Sequence, residues 1–402
     1  MRNKILVYDD DPELATQWKK QIETVGAVRK SFDIEVMFES PTELQKDLQI
    51  LAQRQRSFRA GTPWPNEPTR FDEGELLVID YDLITQESFA TGEVVAYLAR
   101  CFSSCGVIIG LNQYGGNTFD LTLRGHPESF CDLNIGDQQL SNPGLWTHDF
   151  KGFRPWCWPV LIDFLSSFRR RVTEALENAS QYVLSYFGLD GVLQHIPKSV
   201  LGFLGPDPIT TSFDQFPLKS PSGLHPRDKR VPEESHTKAS EVIARVAAAR
   251  LSKWLQRLVL PGQNIIVDAP HLVSRFPSLL LSGNHDNPES WNKTARFVEP
   301  SGLGIHHEII SQFEFHKPDW IARPAWFWPG LSNHPEVAEV SSPWETESSD
   351  LVFCEDTSGF HPKKACRKFV AGVDSPFIIR YVKMPDTDVD YQPYGRFSSK
   401  PD

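Results

Sequence analysis

Lys4-Ile5-Leu6-Val7-Tyr8-Asp9-Asp10-Asp11-Pro12-Glu13-Leu14-Ala15 decides how this chain of 402 residues is read. Residues 4–8 are a short apolar run of the kind that makes a buried strand, and the acids behind it lead into a helix. Pro12 suits a first helical turn, where its missing N–H is not needed, and acidic side chains suit the positive end of the helix dipole. Leu14, Trp18, Ile22 and Val25 follow at three- and four-residue spacing, the apolar stripe of a helix lying on a sheet. Outward from this stretch the same rhythm repeats. A strand is predicted at 34–38 and a helix from Pro41 through Leu51, then a strand at 75–80 ending on Asp80. A helix carrying Val94, Val95, Leu98 and Ala99 follows, then a strand at 106–111, a fifth strand at 145–150 and a helix through Val160, Leu161, Phe164, Leu165 and Phe168. Short apolar strands alternating with amphipathic helices predict a parallel sheet covered on both faces.

Two stretches interrupt the rhythm: the proline-rich 61–68, read as an inserted surface loop, and the irregular 112–145. Seven prolines between 197 and 232 mark a connecting segment, which divides the chain into an N-terminal part (1–175), a connector (176–235) and a C-terminal part (236–402). Within 238–260, Ala239, Val242, Ile243, Val246, Leu251, Trp254, Leu255 and Leu258 form a helical stripe stopped by Pro261-Gly262. Strands are predicted at 265–267, 278–281, 351–353 and 377–381, so the C-terminal part reads as α+β. Arg169-Arg170-Arg171 reads as a solvated helix face. The aromatic run holding Trp320, Trp326, Trp328 and Trp344 reads as a small core pinned by large side chains.

Composition excludes several classes. With 40% hydrophobic and 23% charged residues the chain can bury a core, which disordered and collagen-like sequences cannot. A net charge of −11 gives no global positive field for nucleic acid, and no apolar run approaches the roughly 20 residues of a membrane span. The opening residues lack the order of a secretory signal, so a soluble, cytoplasmic protein is expected. Six cysteines are too sparse for a disulfide framework and read mainly as reduced, packed thiols. Cys101 with Cys105, or Cys354 with His361 and Cys366, could in principle hold zinc, but neither group has paired Cys-x2-Cys knuckles.

Chemistry is concentrated where the N-terminal strands end. In an open parallel sheet, sites form beyond the carboxyl ends of the strands, so Asp9, Asp10 and Asp80 should meet on one rim. Clustered carboxylates repel unless a cation lies among them, and hard oxygen ligands favour Mg²⁺. The residues at 4–15, with Leu-Leu-Val-Ile-Asp-Tyr-Asp-Leu at 76–83 and Lys151-Gly152-Phe153 before a helix, resemble the receiver domain of response regulators.

That resemblance implies a flavodoxin-like, five-stranded parallel sheet with insertions, and Asp80 as phosphoacceptor. It also implies Mg²⁺ held by Asp9, Asp10, Asp80 and the backbone carbonyl of Asp82, and Lys151 against the phosphoryl group. The partners it implies are proteins, a sensor histidine kinase among them, and the C-terminal part would be the output or interaction domain. The sequence also departs from the family. Gly110, Leu111 and Asn112 stand where a hydroxyl residue is expected after the fourth strand, and Gly152 replaces the proline after the lysine. Seventy positions separate Asp10 from Asp80, and 42 separate Ile109 from Lys151, both long for the family.

Two other functions compete. A phosphorylation-independent scaffold would keep the fold without the chemistry. Gly283-Asn284-His285-Asp286 resembles one motif of the calcineurin-like metallophosphoesterases and would put Asn284 and His285 at a two-metal centre, but the companion upstream motifs are missing. Phosphate-loop, nucleophile-elbow and His-Glu-x-x-His patterns are absent. More than phosphoryl acceptance is therefore not expected of the chain as an enzyme.

Overall fold

The computed structural model describes residues 3–38, 41–81, 83, 91–111, 129–148, 150, 152–220, 224, 236–280, 287–295, 307–338, 350–371 and 377–383. The N-terminal part is a mixed α/β arrangement around five parallel strands: β1 (Asn3–Tyr8), β2 (Phe32–Val36), β3 (Leu76–Asp80), β4 (Val107–Leu111) and β5 (Leu133–Ile135). Their spatial order is β2-β1-β3-β4-β5, compatible with a flavodoxin-like core. Tyr8, Ile79, Gly110 and Asn134 stand in one row across four strands.

Side chains alternate between the faces. Ile5, Val7, Leu76, Val78, Val107 and Ile109 pack with Trp18 and Ile22 of α1 (Pro12–Glu23). Leu6, Leu77, Ile79 and Ile108 pack with Leu44 and Leu51 of α2 (Pro41–Ala60) and with Val95 and Ala99 of α3 (Gly92–Phe102). Every residue of β3 and β4 is buried, as expected of central parallel strands.

The fifth strand is not at 145–150. Asn142 accepts the Gly144 N–H and Pro143 occupies the first helical position, so Pro143–Trp146 forms a helical turn that buries Leu145 and Trp146. The strand comes earlier, from Leu133, beside Asp132, whose carboxylate takes the Ile108 N–H and pairs with Arg100. The expected strand at 278–281 is also helical where it is described. Pro277 starts the turn Pro277–Leu280, and Leu281 lies outside the described residues.

The triple arginine is only partly a surface feature. The helix α4 (Leu161–Glu177) runs through it, so its period turns Arg169 and Arg170 outward and Arg171 inward. The Arg171 guanidinium lies 4.5 Å from the Phe164 ring centre and bonds the Asp319 carbonyl.

The described part of the connecting segment, 176–220 and 224, buries Val200, Phe203, Leu204, Phe213 and Phe216. Beyond it, α5 (His236–Trp254) lies against both α3 and α4. Val242 and Val246 join the apolar cluster on one face of the parallel sheet, while Leu251 and Trp254 belong to the cluster on the other. A π turn at Leu255–Val259 ends the helix before Pro261 and Gly262.

The strands β6 (Ile266–Asp268) and β7 (Ala325–Phe327) form an antiparallel pair. The strands β8 (Leu351–Cys354), β9 (Gly359–Pro362), β10 (Arg367–Val370) and β11 (Ile379–Val382) form a mixed sheet in the order β10-β11-β8-β9. Trp320 and Phe315 are core side chains. Trp320 meets Phe187 at 5.0 Å between ring centres and donates its indole N–H to Glu174. Among the described residues, no helix is long and apolar enough to cross a membrane.

Candidate functional site

The parallel order of β1 and β3 brings their carboxyl ends side by side. Asp9 directly follows β1, Asp80 ends β3, and carboxylate oxygens of Asp9, Asp10 and Asp80 lie within 4.8 Å of one another. Asp9 and Asp80 are each 3% exposed. One oxygen of Asp9 accepts the Asp11 N–H at 2.7 Å, and Asp11 in turn caps α1 through the Glu13 N–H. The acidic run therefore both starts the helix and fills the rim.

The other Asp9 oxygen is buried with no hydrogen-bond partner. Burial, then the charges of Asp80 and Asp10, push its carboxyl up to about 7, although the Asp11 N–H works against them. A buried carboxylate oxygen without a donor, on a residue clustered with two further carboxylates, is the electrostatic setting that a divalent cation relieves, and the all-oxygen donor set suits Mg²⁺. These residues therefore fit the ion.

Gly92 forms the floor of the rim. Its N–H donates to the Tyr81 carbonyl at 3.1 Å, and a Cβ there would sit 2.0 Å from the Asp80 carbonyl oxygen. Gly92→Ala is expected to cost about 2–3 kcal/mol by lifting α3 off the end of β3. An unchanged urea midpoint would show instead that the helix can rise freely.

On the far side of Asp80, Leu111 is its register partner, fully buried, and accepts the Tyr81 N–H. The described residues at this end of β4, Gly110 and Leu111, carry no hydroxyl, and Asn112 lies outside the described residues. Asp82, Lys151, Asn284 and His285 lie outside the described residues. The segments around Lys151 can be placed: Phe150, Gly152, Phe153 and Arg154 line a cleft of about 390 Å³ with Thr357, His361 and Lys383. His361 Nε2 is 2.8 Å from Thr357 Oγ1, while the Cys354 and Cys366 sulfurs touch each other at 3.4 Å.

Sequence reasoning missed a second polar centre. His271, on α6 (Ala269–Arg275), bonds Asp268 through Nδ1 at 2.6 Å and Glu355 through Nε2 at 2.9 Å. Arg380 pairs with Glu355 at 3.0 Å, Arg323 with Asp268 at 3.3 Å, and the Trp156 indole donates to Asp268 at 2.7 Å. All are buried. Burial opposes the charges of Asp268, Glu355 and His271, yet the partners win. His271 and Arg323 hold the Asp268 carboxyl below its usual range, Arg380 and His271 do the same for Glu355, and Asp268 with Glu355 raises His271. The only sequence signal is Asp268-x-x-His271 at helix-capping spacing; Trp156 and Arg323 lie 112 and 55 positions from Asp268, Glu355 lies 84 from His271, and no local pattern announces them.

Comparison with family models, with curated proteins and with solved structures gives no match to this chain.

Proposed function

We propose that the chain is a signal-transduction regulator in which a receiver-like N-terminal part takes a phosphoryl group on Asp80 and controls the C-terminal part. The observation that carries this reading is the meeting of Asp9, Asp10 and Asp80 at the carboxyl edge of a β2-β1-β3-β4-β5 parallel sheet. Asp9, Asp10 and Asp80 would hold Mg²⁺, with the Asp82 carbonyl implied as a further ligand. Bound there, the ion supplies the positive charge that lets an anionic carboxylate approach an anionic phosphoryl donor.

In the reaction an Asp80 oxygen attacks phosphorus in line, the bond to the donor's leaving group breaks, and an acyl phosphate forms on the protein. Lys151 would pair with the phosphoryl oxygens. The added charge would then act on a protein partner's surface.

Acetyl phosphate with Mg²⁺ tests this through intact mass. One phosphoryl group should add to the wild type and none to Asp80→Asn. No addition to the wild type, or undiminished addition to the variant, would overturn the reading.

One observation favours a second reading. Leu111 beside Asp80 is buried and apolar, and none of Gly110, Leu111 and Asn112 carries the hydroxyl that would respond to phosphorylation. A phosphorylation-independent interaction protein would carry the same sheet and leave the mass unchanged under acetyl phosphate.

A further inference from the structure

We propose that Cys354 and Cys366 form a modification site that closes to an intramolecular disulfide when a hydroperoxide reaches the protein. The inference is independent of the chemistry at Asp80. Cys354 ends β8 and is fully buried, whereas Cys366 is half-buried and follows the turn Lys363–Ala365. Between β9 and β10 the chain crosses from one edge of the four-stranded sheet to the other, and Cys366 lies on that crossing against Cys354. Their sulfurs are 3.4 Å apart. A disulfide bond of roughly 2.05 Å asks for only about 1.4 Å of further approach. His361, the third residue of a possible zinc set, instead faces Thr357.

The chemistry balances with one hydroperoxide. The Cys366 thiolate attacks a peroxide oxygen, the O–O bond breaks, and the departing oxygen takes a proton, leaving a sulfenic acid. The Cys354 sulfur then attacks the Cys366 sulfur. An S–S bond forms, the S–O bond breaks, and water leaves with the Cys354 proton. With hydrogen peroxide the two thiols each lose a hydrogen and two waters result.

Burial raises both thiols; Cys366 raises Cys354 further while Cys354 lowers Cys366, Asp356 raises both and Lys383 lowers both, and both thiols act on Tyr381. Thiolate is therefore scarce at neutral pH, and closure should quicken by up to about tenfold per pH unit.

The test uses the reduced full-length chain, hydrogen peroxide, alkylation and peptide mass mapping. The expected product is a Cys354–Cys366 cross-linked peptide pair lacking two hydrogens, formed faster at pH 8 than at pH 7 and reopened by dithiothreitol. In Cys354→Ser the cross-link should vanish and Cys366 should become trappable by dimedone as a sulfenic acid. Peptide mapping of the wild type decides the matter even if the variant folds poorly. Recovery of both cysteines in the alkylated, reduced form after prolonged peroxide treatment of folded protein would overturn the proposal, as would cross-linking of either to another cysteine.

Discussion

Glu355→Ala is expected to lower the free energy of unfolding by about 3–5 kcal/mol, the usual cost of stranding buried charges by removing one partner. His271 and Arg380 both lose the Glu355 carboxylate at a site that solvent does not reach. Glu355→Gln keeps an acceptor for the imidazole and should cost less. Urea denaturation followed by tryptophan fluorescence, with Trp156 inside the network, measures both, and a loss below about 1 kcal/mol for the alanine variant would contradict the account.

The pH dependence has a definite sign. His271 is raised in the folded state, so its contribution is complete below its unfolded value near 6.5 and fades as pH rises through the folded value. Asp268 and Glu355 are lowered, so theirs is present above roughly 4 and fades on acidification. In Glu355→Ala the alkaline decline should begin at the same pH but be smaller and end at lower pH, because one of the two carboxylates that raise His271 is gone.

Asp9 behaves in the opposite way. Its carboxyl is raised to about 7, so without a divalent ion the folded state favours the proton and loses stability as pH climbs from about 4 through 7. Asp9→Asn should therefore stabilise the metal-free protein at pH 8 by about 2 kcal/mol, roughly half of what the full shift would imply, since solvent and neighbours relax around a charge at a rim. Millimolar Mg²⁺ should raise the melting temperature of the wild type and do much less for the variant. Equal responses in the two proteins would remove Asp9 from any cation site.

Much of the parallel sheet could be read directly from the sequence because its strands are buried on both faces and its helices on one, which leaves period-two and period-3.6 patterns in the residues. Asp9 and Asp80 could be paired in advance because strand ends of such a sheet share an edge. The edge strand was misplaced because Leu133, Asn134 and Ile135 are too few to show a period and sit in a long irregular stretch, whereas 145–150 offers the large apolar side chains Leu145, Trp146 and Phe150. Arg171 escaped notice because composition does not say which of three adjacent arginines a helix turns inward. The His271 network was invisible for a different reason: its members gain their roles from tertiary contacts alone.

The packing of α5 bears on how such a chain could be divided or inherited. A fragment ending at residue 175 would present to water the flanks of α3 and α4 on which that later helix rests, and would lose Val242 and Val246 from beneath the first sheet. Such a fragment should aggregate or melt early. Shuffling the first half alone between genes, as a free-standing cassette, would therefore need a substitute wedge to travel with it.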